Sequence, residues 1–168
     1  QTQKTDSLLG LFKMPIAIAV YDQKGNASTG SVTKNEQIFW IKNQTDTFSI
    51  PFANTDKIGC VIIDPGCRII KKIQFERNYS EVIFQAEKAE NMIDRYLAFA
   101  ALRDTALSQK QNDLLRLYET EKSLVPRQEI IAQLGKDTTF LNTDFWQKAL
   151  TDTNFQIRRT ALENANTK

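Results

Sequence analysis

Residues 61–89 read VIIDPGCRIIKKIQFERNYSEVIFQAEKA, and within that one stretch the apolar spacing changes from alternation to recurrence at three to four positions. Alternation places apolar side chains on one face of a strand, whereas the longer spacing lines one face of a helix. A chain that makes this switch contains a β part followed by an α part.

The first part carries the short period. Ile16, Ile18 and Val20 share a face, as do Phe39 and Ile41, while Phe48, Ile50 and Phe52 alternate with Thr47, Ser49 and Pro51. Ile58, Cys60 and Ile62, with Val61 and Ile63 between them, describe a strand buried on both sides. Ile69, Ile73 and Phe75 then alternate with Ile70, Lys72 and Gln74. DQKGN at 22–26 and DPG at 64–66 supply the fixed φ of proline and the positive φ open to glycine, so both are turns. About six short strands without intervening helices predict an antiparallel β-sandwich over residues 1–77.

From Ser80 onward the long period holds. Val82, Ile83 and Ala86 mark one helix, and Met92, Ile93, Tyr96, Leu97, Ala100 and Ala101 a second. Leu114, Leu115 and Tyr118 mark a third. Ile130, Ile131 and Leu134 mark a fourth, with Pro126 near its first turn and Gly135 closing it. Phe145, Trp146, Ala149 and Leu150 follow the candidate caps Asn142 and Thr143, and Ile157, Ala161 and Ala165 end the series. Arg95, Arg127 and Arg158 each precede an apolar residue at the third and seventh positions after them, and they lie 32 and 31 positions apart. A constant interval that holds one helix pair predicts an α-solenoid of about three pairs over residues 78–168. The arginines are read as packed stems with solvated tips, the alternative being a stripe for phosphate or peptide carboxylate.

Candidate chemistry is sparse. The chain contains no histidine, so zinc sites built on His and Ser-His-Asp catalysis are excluded within it. Cys60 and Cys67 stand seven positions apart, a spacing that fits neither a CxxC redox pair nor half of a zinc site. They are expected as unpaired thiols or small apolar fillers. Asp64 is expected to form a turn rather than to catalyse, because it lacks a nearby partner acid, metal or nucleophile in sequence. Asp94 and Asp104 on one predicted helix would be separated by about 15 Å, too far to cooperate as acid and base. Phe39, Trp40, Phe48 and Phe52 read as core rather than as a ligand platform. Asn26, Asn43 and Asn78 head Asn-x-Ser/Thr sequons, which matter only in a glycosylating pathway.

A net charge of +2, from 22 basic and 20 acidic side chains, provides no electrostatic footprint for nucleic acid. No apolar run approaches the roughly 18 residues of a membrane span. Neither partner is expected.

The stretches LFKMPIAIAVYDQKG, TFSIPF, CVIIDPGCRIIKKIQFER and NMIDRYLAFAALRD together resemble the region that follows the catalytic domain in zinc aminopeptidases of the M1 family. The features that carry the resemblance are Met14-Pro15, Val61 to Pro65 and Ile70-Lys71. It implies a β-sandwich followed by HEAT-like helices that brace the catalytic domain and wall or gate its substrate chamber. The family's His-Glu-x-x-His zinc motif and Gly-x-Met-Glu-Asn substrate anchor have no counterpart here. No catalytic, cofactor or metal-binding residue carries over, and the chain reads as a C-terminal fragment. Its implied partners are an upstream catalytic domain of the same parent and the parent's peptide substrate; zinc is implied for that domain alone. The competing reading is a free-standing adaptor that holds a protein or peptide on its helices.

Overall fold

In the computed structural model, residues 1, 10–23, 33–51, 58–137 and 140–165 are described. They fall into two units, 1–76 and 77–168.

The first unit is built on one three-stranded antiparallel sheet in the order β2-β1-β3. The strands are β1 (Met14–Asp22), β2 (Lys34–Ile41) and β3 (Ile58–Ile63). In the register, Ile16 lies opposite Phe39, Ala17 opposite Ile38 and Ala19 opposite both Glu36 and Ile62. The central strand is buried on both faces: Ile16 and Val20 point one way, Ala17, Ala19 and Tyr21 the other.

Irregular chain covers this sheet. On the Ile16 face, Phe48 stacks on Phe39 with centroids 4.6 Å apart, and residues 46–50 have no regular structure. On the Ala19 face, the Arg68 guanidinium reaches Glu36 on β2 at 3.3 Å. The β-sandwich expected from the sequence is thereby corrected. Residues 46–50 and 70–78 alternate apolar and polar side chains without acquiring a ladder partner, and a second sheet is absent among the described residues. Phe52 lies outside the described residues.

The described residues of the second unit form six helices: α1 (Tyr79–Lys88), α2 (Met92–Ala101), α3 (Leu107–Thr120), α4 (Leu124–Lys136), α5 (Thr143–Leu150) and α6 (Phe155–Ala165). Asn78 caps α1 through a reciprocal box with Glu81, satisfying two backbone donors at once. Asn142 caps α5 by accepting from the Phe145 amide at 3.0 Å. Each helix packs on the next of its pair, while α2 touches α4 and α4 touches α6.

Buried residues from all six helices form one core cluster, from Val82 on α1 to Ala161 on α6. Tyr118 on α3 meets Phe145 on α5 edge to face at 5.0 Å, and Phe140 and Trp146 extend the same aromatic group. This shared core corrects the second half of the expected fold class. The described residues form one three-stranded antiparallel sheet and six helices, not a β-sandwich followed by an α-solenoid. Gly135 also differs from expectation, lying inside α4 rather than after it; a Cβ there would come within 2.6 Å of Asn164 Cβ on α6. Its missing side chain is what lets α4 and α6 approach so closely.

Candidate functional site

Each polar group singled out from the sequence has a definite place. Asp64 ends β3 with its amide donating to Ala17 O at 2.7 Å, and its carbonyl accepts from Cys67 N at 3.0 Å across the Pro65-Gly66 turn. The positive φ of Gly66, following proline, is the pattern of a type II turn. The Asp64 carboxylate is buried, accepting from Ile69 N at 2.9 Å and from Lys71 Nζ. Burial acts to raise its pKa, but the Lys71 and Ile69 bonds outweigh that and hold it below the ordinary carboxylate value. Every one of these bonds organises the turn.

Asp94 and Asp104 are not brought together. Asp94 is buried in the first turn of α2, where its carboxylate accepts from Asn91 Nδ2 at 3.0 Å. Asp104 is exposed beyond the end of α2, which stops at Ala101.

The three repeated arginines are the most organised polar feature of the helical unit. Arg95 on α2 sends Nη1 to the carbonyls of Ala89 and Glu90, both at 2.9 Å, closing the α1–α2 turn. Its Nε and Nη2 bond the Glu121 oxygens at 2.7 and 3.1 Å, and Nη2 also bonds Ser123 Oγ at 3.0 Å. Arg127 on α4 repeats the reach to the following turn, bonding Asp152 at 2.5 Å with its guanidinium 4.6 Å above the Tyr118 ring. Arg158 on α6 repeats the carbonyl contacts, with Nη1 bonding the Asp152 and Thr153 carbonyls at 2.7 and 3.0 Å. Arg103 adds a further cross-link by pairing with both oxygens of Glu129 at 2.8 and 2.7 Å.

Burial raises the carboxyl pKa of Glu121, Glu129 and Asp152, but their arginine partners outweigh it and leave all three lowered. They are charged struts, unsuited to carrying a proton near neutral pH.

Lys110 is one of the polar groups that the sequence does not mark. It is buried on α3, and its ammonium donates to Leu102 O at 2.6 Å and Gln133 Oε1 at 2.9 Å. Gln133 in turn donates to Phe99 O at 2.6 Å, so the pair satisfies carbonyls at the C-terminal end of α2. Burial lowers the Lys110 pKa. Nothing in the spacing of SQKQND separates Lys110 from a solvated lysine.

Two open grooves accompany these struts. One, of about 380 Å³, lies between the α1–α2 turn and the end of α3 and is lined by Arg95, Arg116, Glu87 and Glu121. The other, of about 370 Å³, is lined by Arg103, Lys110, Gln133 and Lys136. In the first, Arg116 pairs with Glu87 at 2.8 Å, so its charged groups already hold one another.

The remaining candidates have structural roles or none. Cys60 is buried and Cys67 exposed. Phe39 and Phe48 pack together, while Trp40 and Ile38 are more than half exposed on the opposite face of β2. Asn78 is the α1 cap and Asn43 holds a turn with Asp46; Asn26 lies outside the described residues. Among the described residues no group of His, Cys, Asp or Glu is arranged to hold a metal, and no helix is long and apolar enough to cross a membrane.

Comparison with protein-family models finds no matching family, and comparison with curated proteins finds no match.

Proposed function

We propose that this chain is a non-catalytic scaffold segment that works by holding another protein surface. The observation that carries the reading is the use made of its charged groups. Asp64 is spent on a turn, while Glu121, Glu129 and Asp152 are spent on arginine struts between helices. A general acid or base needs a proton free to move at a substrate, and these carboxylates are instead fixed in their charged form. The more specific form is the accessory region of an M1-family zinc aminopeptidase, bracing its catalytic domain and bordering its substrate chamber. That form is supported by the quoted sequence stretches around Met14-Pro15, Val61 to Pro65 and Ile70-Lys71.

A second reading, an adaptor acting apart from any peptidase, is favoured by apolar side chains left in solvent: Trp40 at 56% and Ile38 at 66% exposure on β2. The coding sequence that flanks this chain separates the two. The aminopeptidase form requires His-Glu-x-x-His with a downstream Glu in the same reading frame. A parent lacking that motif overturns the aminopeptidase form and leaves the adaptor.

A further inference from the structure

We draw no further inference here: the strongest candidate, the groove lined by Arg103, Lys110, Gln133 and Lys136 where α3 begins and α4 ends, carries nothing because it amounts to a helix N-terminus beside two cations already held, Arg103 by Glu129 and Lys110 by Leu102 O and Gln133, with no second feature among the described residues that points to a ligand.

Discussion

Arg95 and Glu121 join the turn before α2 to the turn before α4 through a two-pronged ion pair, with side-chain exposures of only 18% and 5%. The same guanidinium closes the Ala89 and Glu90 carbonyls, so one side chain fixes three backbone or carboxylate sites. Removing one partner from such a pair leaves a charge with little access to water. Arg95→Ala should cost about 3 kcal/mol in urea unfolding. Glu121→Gln, which keeps an acceptor oxygen, should cost about 1–2 kcal/mol. Equal losses for the two variants would contradict this division of roles.

The arginine struts also predict how stability depends on pH. Burial alone would raise the pKa of Glu121, Glu129 and Asp152, but Arg95, Arg103 and Arg127 hold them below the ordinary values of 4.5 for Glu and 3.8 for Asp. As pH falls, the unfolded chain therefore takes up protons before the folded one does. The stabilisation is complete above the unfolded pKa and is lost as pH drops through the depressed folded values. Urea midpoints should be level from about pH 7 to about pH 5 and then decline, and Arg95→Ala should make that decline shallower. A midpoint that rises on acidification would contradict the assignment.

Gly135 yields a prediction against helix propensity. At an exposed position inside a helix, Gly→Ala stabilises by about 1 kcal/mol. Here the added methyl would fall 2.6 Å from Asn164 Cβ, the rigid base of that side chain rather than its mobile end. Gly135→Ala should destabilise by about 1–3 kcal/mol through forced separation of α4 and α6. Paired thermal melts check the sign.

The turn after β3 makes two predictions of opposite direction. Cys67 holds φ at 52° with an exposed side chain, so Cys67→Gly should stabilise by about 1 kcal/mol by relieving a left-handed non-glycine residue. Asp64 holds φ at 58° but anchors Ile69 N and Lys71. Asp64→Ala should cost about 2 kcal/mol, because the lost hydrogen bonds add to the strain. Chemical denaturation of both variants separates the contributions.

The helices were legible because a helix satisfies its own backbone, so periodicity and the cap at Asn142 suffice to locate one. A strand needs a neighbour, which local alternation does not provide. Residues 14–22 and 34–41 found each other, while Phe48 packs on Phe39 from irregular chain and Ile70 stands wholly in solvent although its spacing is that of a strand. The arginine interval was visible in the sequence, but the identity of each carboxylate partner was not, because Glu121 and Asp152 lie in turns whose spatial neighbours depend on helix packing. Lys110 left no trace at all: its burial follows from the meeting of α3, α4 and the end of α2, and from no feature of its own neighbourhood.

The proposed non-catalytic role is tested first by turnover of aminoacyl anilides by the isolated chain after equilibration with zinc, with bound metal counted by equilibrium dialysis. No stoichiometric zinc and no hydrolysis above the buffer rate are expected. Zinc bound one to one together with zinc-dependent cleavage would contradict that role.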